Sequence, residues 1–268
     1  MMTDLLKLTL FAYLVAVGRC QTEPTVEPDP ALNEFGFLAD DPDSNYPNAS
    51  WTVKRNEYIC YGDPHCYQSV FADATGLGND EICYRVRGDS DAWYNIWNHT
   101  VFGVEVDCHF NRPIPGNALY IDEVNIIASY RDVNVKLVGN RLVHLAGLVK
   151  GGTGSVTIDV LGLKEIIIKI DGNVYICLRA KVNKIFVYIR ILRQVPKGAL
   201  QGIMGAVENQ AKAVVDNGTT LELEDNTAHP LGPEEWHRWY CRRPLPRTCY
   251  RLLSLSVLIP DLNVYKLP

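Results

Sequence analysis

Short runs rich in valine, isoleucine and tyrosine alternate with turn residues throughout residues 82–192. Regularly spaced runs of this kind are typical of an all-β sandwich or barrel, because each run is long enough for one strand and each turn reverses the chain. The pattern predicts an all-β, mainly antiparallel sandwich with a short irregular C-terminal region. The predicted strands are residues 82–87, 92–97, 101–108, 118–130, 133–138, 141–145, 155–160, 163–170, 174–179 and 183–192.

The last of these runs indicates which face of its strand is buried. Its branched apolar residues recur at every second position, and a period of two places them on one face of a strand. That face is predicted to be core and carries Ile185, Val187, Ile189 and Ile191.

Two tight turns favour an antiparallel arrangement. Asp171-Gly172 lies between two predicted strands, and this dipeptide accepts the positive φ angles of a type I′ hairpin turn. Gly139-Asn140 is a second predicted turn. The glycine-rich residues 151–154 are followed by neither a helical pattern nor a lysine placed for phosphate, so we interpret them as a turn and reject a nucleotide-binding loop.

The N-terminus has the organisation of a secretory signal peptide, predicted to span residues 1–20. Lys7 precedes an apolar stretch of about ten residues, which is too short to span a bilayer. Small residues fit cleavage after Gly18 or after Cys20, and we favour cleavage after Cys20, which leaves Gln21 first. The chain is therefore predicted to be secreted and extracellular.

The rest of the chain is predicted to have three parts. Residues 21–57 are acidic and rich in proline, which predicts a flexible leader. Residues 58–241 are predicted to be the β domain, and residues 242–268 a C-terminal tail that packs on the domain or follows it. Trp236 and Trp239 are expected to pack over the sandwich edge. The apolar residues 252–259 are too short to span a membrane, and we interpret them as a closing strand.

The chain has eight cysteines, and in a secreted protein these are expected to form disulfides. Loss of Cys20 with the signal peptide would leave an odd number, so that one thiol is free, buried or paired with another chain. The remaining cysteines are Cys60, Cys66, Cys83, Cys108, Cys177, Cys241 and Cys249. Three sequons predict surface glycans, at Asn48, Asn98 and Asn217.

Charge and missing motifs exclude several classes of function. The net charge of −5 and the lack of a basic stripe argue against a nucleic-acid partner. The chain has no His-Glu-x-x-His, Gly-x-Ser-x-Gly or Cys-x-x-Cys motif, so zinc hydrolase, esterase and thiol-redox chemistry lack their minimum residues. We expect a protein that is not an enzyme and has neither a nucleic-acid nor a membrane partner.

The segment Cys60-Tyr61-Gly62-Asp63-Pro64-His65 resembles the opening of a von Willebrand factor type D domain, in which a cysteine precedes Gly-Asp-Pro-His and a strand containing phenylalanine. Phe71 takes the place of that phenylalanine. The sequence Glu-Ile-Cys-Tyr-Arg-Val at residues 81–86 is similar to the second cysteine strand of the family, and Gly-Ile-Met-Gly at residues 202–205 is similar to its Gly-Leu-Cys-Gly motif. The resemblance extends over residues 58–241 and implies a single-domain secreted member with the fold of that family.

One departure from the family changes the disulfides that the resemblance implies. Met204 stands where the family usually has cysteine, so the disulfide commonly made there cannot form and Cys60 needs another partner. Cys66, which is unusual for the family, is either that partner or a link to another chain.

The remaining pairs follow from the same resemblance. Cys83 is expected to pair with Cys241 or Cys249, across a long loop. Cys108 and Cys177 then remain as a plausible pair, although a sequence alone does not fix connectivity.

Many family members bind calcium in the loop after Gly-Leu-Cys-Gly, and calcium is the one cofactor that the resemblance suggests. Calcium takes six to eight oxygen ligands, and the candidate ligands are Asp73, Glu208, Asn209 and Asp216. A plain polar loop at residues 205–212 is the favoured alternative, because Lys212 and apolar residues interrupt the oxygen donors.

The Asp63-Pro64 bond is the one place where the sequence suggests a reaction. In some members of the resembled family the Gly-Asp-Pro-His motif cleaves itself between Asp and Pro at mildly acidic pH, with assistance from the histidine, here His65. The alternative is a structural turn shaped by Gly62 and Pro64. A Cys60–Cys66 disulfide would hold the two fragments together after cleavage.

The resemblance implies a secreted structural or interaction glycoprotein that binds proteins, or assembles through disulfides, in a matrix, coat or mucus-like layer. Its expected partners are extracellular proteins, or a second copy of the chain linked through an unpaired cysteine. One alternative is a secreted ligand resembling repulsive guidance molecules. Another is a luciferase-like secreted enzyme, which the length of the chain and the single copy of the domain disfavour.

Overall fold

A computed structural model of the chain describes residues 57–61, 64–70, 80–112, 118–145, 147–151, 154–192, 198–241 and 243–268, with the backbone alone described at 235–241 and 243–248. These residues belong to one compact unit, residues 46–268. Two β-sheets pack face to face, which confirms the predicted all-β fold. The strands are β1 (Glu57–Tyr61), β2 (His65–Ser69), β3 (Glu81–Arg85), β4 (Ala92–His99), β5 (Val104–Asn111), β6 (Tyr120–Ala128), β7 (Asp132–Val138), β8 (Arg141–Leu145), β9 (Val156–Leu161), β10 (Glu165–Ile170), β11 (Val174–Lys181), β12 (Lys184–Ile191), β13 (Leu200–Gln201), β14 (Ala211–Val215), β15 (Thr220–Leu223), β16 (Ala228–Cys241) and β17 (Arg243–Leu252).

The larger sheet has eleven strands in the order β14-β15-β16-β17-β3-β2-β1-β12-β11-β10-β9, and the smaller has six in the order β13-β4-β5-β6-β7-β8. Among the strands that the structure describes, all neighbouring pairs are antiparallel except β17 and β3, which run parallel. That parallel pair brings the C-terminal part of the chain beside one of its first strands.

The core lies between the two sheets and follows the predicted alternation. The alternate residues of β12 predicted to be core, from Ile185 to Ile191, all belong to it. The opposite face of β12 is also buried, because Phe186 is 6% and Tyr188 is 7% exposed. A strand buried on both faces carries a nearly continuous apolar run, and β12 shows this pattern.

The predicted hairpin turn between β10 and β11 is confirmed. Asp171 and Gly172 have φ angles of 51° and 63°, the positive values that a type I′ turn requires. Gly139, in the second predicted turn, has a φ of 63°.

Residues 205–212 do not form the predicted polar loop, because most of them lie in a helix, α1 (Gly202–Gln210). Two glycines allow this helix to sit against the sheets. Gly202 has a φ of 78°, and a Cβ atom there would lie 2.5 Å from Oδ1 of Asn95. A Cβ atom on Gly205 would lie 2.5 Å from the backbone carbonyl of Leu200. The packing therefore selects glycine at both positions of the Gly-Ile-Met-Gly segment.

The closing strand predicted at residues 252–259 is wrong. Strand β17 ends at Leu252, and a 3₁₀ turn follows at Leu255–Val257. The apolar pattern has a different cause, because Leu258 and Ile259 are buried in the core. The tryptophans predicted to cover the sandwich edge, Trp236 and Trp239, lie on β16, and their side chains are outside the described part of the structure.

The Cys83–Cys249 disulfide joins β3 to β17, across a separation of 166 residues. The sequence left Cys241 and Cys249 as possible partners of Cys83, and the structure shows that the partner is Cys249. A second disulfide, Cys60–Cys66, has a separation of only 6 residues. In the chain-entropy model the stabilisation grows with the length of the closed loop, to roughly 5 kcal/mol for the long loop and roughly 2 kcal/mol for the short one.

We therefore predict that the double variant Cys83→Ala/Cys249→Ala loses more free energy of unfolding than Cys60→Ala/Cys66→Ala. Both variants remove two buried sulfur atoms, so the cost of the cavities is similar and the difference of roughly 3 kcal/mol reports loop length. Urea unfolding followed by tryptophan fluorescence measures both values. Equal losses would contradict the chain-entropy account.

Candidate functional site

The Gly-Asp-Pro-His segment connects β1 to β2, and a disulfide closes this connection at its base. Cys60 and Cys66 are directly opposite each other in the two strands, with a Cα–Cα distance of 4.1 Å. Both are fully buried on the core face of the sheet. Gly62 and Asp63 lie outside the described residues, whereas Pro64 and His65 are described. The disulfide therefore brackets the Asp63-Pro64 bond within the chain.

Strand β3 and the residue that follows it bond to the C-terminal half of the motif. The backbone N–H of Val86 donates to the carbonyl of Pro64 at 2.9 Å. The Nε–H of Arg85 donates to Nε2 of His65 at 2.6 Å. An arginine Nε only donates, so Nε2 of His65 is the acceptor and the neutral imidazole carries its proton on Nδ1.

Aromatic rings surround the same end of the hairpin. The rings of Tyr61 and Tyr67 are stacked at 5.3 Å, and their hydroxyl groups are 2.6 Å apart. Phe186 packs edge-on against Tyr61 at 4.9 Å, and the imidazole of His65 lies 6.2 Å from the same ring. His65 therefore lies beside the rings of Tyr61, Tyr67 and Phe186, on the face of the sheet away from the core.

A buried polar network anchors the other face of the hairpin to α1. The Tyr58 hydroxyl donates to Oε2 of Glu208 at 2.5 Å, and Nε2 of Gln68 donates to the carbonyl of Met204 at 3.0 Å. Tyr84, on β3, donates its hydroxyl to Oε1 of Gln68 at 2.5 Å. Burial, and then the charge of Glu208, raises the pKa of Tyr58 well above its ordinary value. The tyrosine therefore stays protonated and donates to the carboxylate.

Two of the proposed calcium ligands, Glu208 and Asn209, have other partners in the structure. Glu208 lies in α1 and accepts from Tyr58, while Nδ2 of Asn209 donates to the carbonyl of Leu200 at 3.0 Å. Asp216 is exposed at a turn after β14, and Asp73 lies outside the described residues. Among the described residues, no group of three or more histidine, cysteine, aspartate or glutamate side chains is placed to hold a metal ion.

Two of the three sequons fall within the described chain, and Asn48 lies outside it. Asn217 is exposed in a 3₁₀ turn with a φ of 56°, where an added glycan would extend into solvent. Asn98 is half-buried on β4, and its Nδ2 donates to Oε2 of Glu105 at 3.4 Å. The surroundings therefore favour Asn217 over Asn98 as the acceptor.

The predicted pair of Cys108 with Cys177 is wrong, because Cys108 is a free, buried thiol and Cys177 is bonded in another disulfide. Strand alternation explains this outcome. Cys108 points into the core with its neighbours Val106 and Phe110, whereas Cys177 lies between two core residues of β11 and so points to the opposite face. The cysteine bonded to Cys177 is not among the side chains that the structure describes. The side chain of Cys241 is also outside the described part.

Burial, and then the nearby charge of Asp107, raises the pKa of the Cys108 thiol well above its ordinary value. Because the thiolate is the reactive form, we predict that Cys108 resists alkylation by iodoacetamide in the folded protein at pH 7.5 and reacts after denaturation. Peptide mapping by mass spectrometry measures the modified fraction. Rapid alkylation of the native protein at Cys108 would contradict its burial.

Asp107 is a buried acid that sequence analysis did not identify. Only 2% of its surface is exposed, and Oδ1 accepts from Nδ2 of Asn95 at 2.9 Å. Burial raises its pKa to about 7, the hydrogen bond from Asn95 opposes this change, and the nearby Glu105 adds to it. A folded-state pKa above the unfolded value of about 3.9 means that the folded protein holds the proton more tightly.

The stabilising contribution of Asp107 is therefore complete below about pH 4 and declines as the pH rises through about 7, by at most roughly 1.4 kcal/mol per pH unit. Asp107→Asn keeps the acceptor for Asn95 and removes the charge. We predict that it raises the free energy of unfolding at pH 8 by roughly 1–3 kcal/mol and has little effect at pH 4.5. Denaturant unfolding at the two pH values tests this, with the exposed Asp159→Asn as control; an equal effect at both would contradict it.

A cleft of about 270 Å³ lies beside His65, on the face of the larger sheet away from the core. Its lining contains three arginines, Arg85, Arg87 and Arg251. This group of arginines could not be recognised in the sequence, because Arg251 is far from the other two along the chain. The parallel pairing of β17 with β3 brings them together, since Arg251 is the register partner of Cys83.

No family model matches the chain, and no curated protein matches it. In the part of the chain that the structure describes, no helix is long and apolar enough to cross a membrane.

Proposed function

We propose that this chain is a secreted protein-binding module related to von Willebrand factor type D domains, and that its Asp63-Pro64 bond cleaves itself in mild acid. The observation that carries this proposal is the Cys60–Cys66 disulfide, which brackets the bond in a hairpin held on both sides by the larger sheet. The Gly-Asp-Pro-His segment and the predicted signal peptide support the same function.

The reaction uses the residues of the motif. A carboxylate oxygen of Asp63 attacks the carbonyl carbon of the same residue, and the bond from that carbon to the Pro64 nitrogen breaks. The nitrogen takes a proton and leaves as a secondary amine, while a five-membered cyclic anhydride remains on Asp63. Water then opens the anhydride to two carboxyl groups, so the sum is hydrolysis of one peptide bond.

His65 is the proposed source of the proton, because it follows Pro64 directly and histidine is the side chain that ordinarily changes charge between pH 5 and 8. In the neutral state its Nε2 accepts from Arg85 at 2.6 Å. Protonation of Nε2 would place two donors against each other, so Arg85 has to move aside before the imidazole is fully charged. Arg85 is thus a positioning residue that restrains cleavage at neutral pH.

The sheet would keep the cleaved protein intact. β1 pairs with β12 and β2 pairs with β3, so each side of the cut retains a neighbouring strand. The Cys60–Cys66 bond also joins the two fragments covalently. Cleavage would therefore create two new chain ends without releasing either fragment.

Protein binding is favoured over disulfide-linked assembly. The one free thiol among the described cysteines, Cys108, has no exposed surface and cannot reach another chain in the folded protein.

The decisive experiment is electrophoresis of the secreted protein after incubation at pH 7.5 and at pH 5.5, with and without reductant. We expect two fragments in the acid sample on reducing gels and a single band on non-reducing gels. N-terminal sequencing of the larger fragment should begin Pro64-His65-Cys66.

Three variants sharpen the result. Asp63→Asn removes the nucleophile and should stay whole at both pH values, whereas Cys60→Ala/Cys66→Ala should separate on non-reducing gels after acid. Glu57→Gln, in the same hairpin, serves as a control for expression and folding. A whole wild-type chain after prolonged incubation at pH 5.5 would refute self-cleavage, and a cut in Asp63→Asn would assign the reaction to a protease.

A further inference from the structure

Cys177 is bonded in a disulfide, and the cysteine on the other side of that bond can be narrowed to two. Four other cysteines are paired with each other in the two described bonds, and Cys108 is free. Of the eight cysteines in the chain, only Cys20 and Cys241 remain. Cys20 is the residue after which we expect the signal peptide to be cleaved, and such cleavage would remove it.

Strand register places Cys177 and the Cys83–Cys249 bond on the outer face of the larger sheet, which is the face away from the core. Residues directly opposite each other in paired strands share one face of a sheet. A continuous row of such partners runs from Cys83 to Cys177 through Tyr67, Ile59 and Tyr188. The two cysteines are thus four strand spacings apart, or roughly 19 Å.

The hairpin formed by β16 and β17 leaves the plane of the larger sheet close to Cys249. β17 pairs with β3 at Tyr250 and Arg251, whereas the part of β17 before these residues pairs with β16 alone. The register of β16 shifts between Leu231 and Glu234, at the same level of the hairpin. A bulge of this kind bends a strand, so the far end of the hairpin is free to turn away from β3.

The length of the hairpin matches the distance to Cys177. Cys241, at its tip, is eight positions before Cys249, and eight residues of strand extend roughly 26 Å. The two Cα atoms of a disulfide are about 6 Å apart. A hairpin that starts at the Cys83–Cys249 bond and crosses the outer face therefore brings Cys241 within bonding distance of Cys177.

The burial of the outer face supports this course of the hairpin. Cys177 is 1% exposed, and its neighbours Ile59 and Ile167 on the same face are each 2% exposed. The smaller sheet packs on the opposite face, so another part of the chain has to cover these residues. The hairpin contains the sequence Trp-His-Arg-Trp-Tyr at residues 236–240, and large aromatic residues suit such a cover.

We propose that Cys177 and Cys241 form a third disulfide, which fastens the tip of the β16–β17 hairpin to β11 across the outer face of the larger sheet. The sulfur–sulfur bond forms as both thiols lose their protons and two electrons pass to an oxidised disulfide of the secretory pathway, which becomes a dithiol. The mature chain then has a single free thiol, the buried Cys108, and no cysteine for a link to another chain. This inference goes beyond the proposed binding function and shares with it only the secretory route.

The test is peptide mapping of the secreted wild-type chain by mass spectrometry, with and without reductant. The protein is denatured in N-ethylmaleimide, which blocks free thiols, and is then digested with trypsin. Trypsin separates the cysteines in question, because Cys177 falls in residues 170–179, Cys241 in 239–242 and Cys249 in 248–251. We expect peptide 170–179 to be linked to peptide 239–242, and the linked species to disappear on reduction.

Variants add a count of free thiols to the map. The wild-type chain should carry one blocked thiol, at Cys108, and Cys241→Ser should carry a second at Cys177. Cys108→Ala is the matched control, which should carry none and keep the link between the two peptides. A free Cys177 in the wild-type chain, a link from Cys177 to Cys20, or a dimer on non-reducing gels that Cys241→Ser abolishes would overturn the proposal. The wild-type map decides the pairing even if Cys241→Ser is not secreted.

The same map separates this inference from the proposed function. Presence of the Cys60–Cys66 and Cys83–Cys249 bonds without a Cys177–Cys241 bond would overturn this inference alone, whereas absence of all three would count against secretion and overturn both. Cleavage of Asp63-Pro64, or its failure, alters none of the peptides that carry Cys177 and Cys241.

Discussion

The pairing of β1 with both β2 and β12 is the constraint on which this structure depends. The hairpin formed by β1 and β2 lies in the interior of an eleven-stranded sheet, and its two faces contact different parts of the protein. One face places the Cys60–Cys66 bond in the core and joins Tyr58 to Glu208 of the helix. The other face presents His65 to Arg85. The connection between β1 and β2 is therefore held at both ends by strands that pair within the sheet.

A protein that cleaved itself in acid would also have to stay folded in acid. Acid unfolds many proteins because carboxylates that are ionised in the folded state must take up protons. Asp107 acts in the opposite sense, since its burial favours the protonated form and its pKa lies near 7. Acidification through the range that would trigger cleavage therefore removes an unfavourable buried charge from the smaller sheet, and the fold gains stability from this group as the pH falls.

Much of the fold follows from periodicity, and the failures have identifiable physical causes. The ten predicted strands are present because short-range alternation and turns such as Asp171-Gly172 are local properties. Helix α1 was not predictable in this way, because glycines lower helix propensity and the helix is selected by the close approach of Gly205 to Leu200. The alternation did contain the signal that rules out a Cys108–Cys177 bond. Cys108 shares the core-facing positions of β5, whereas Cys177 alternates with the core residues of β11.

Only part of the candidate site could be predicted from the sequence. The motif and its flanking cysteines are contiguous, so the hairpin and its disulfide were within reach of local patterns. The arginine cleft depends on β17 lying parallel to β3, a contact fixed by the Cys83–Cys249 bond between residues 166 positions apart. No local pattern encodes such a pairing, and long-range strand contacts are the part of a β fold that a single sequence specifies least directly.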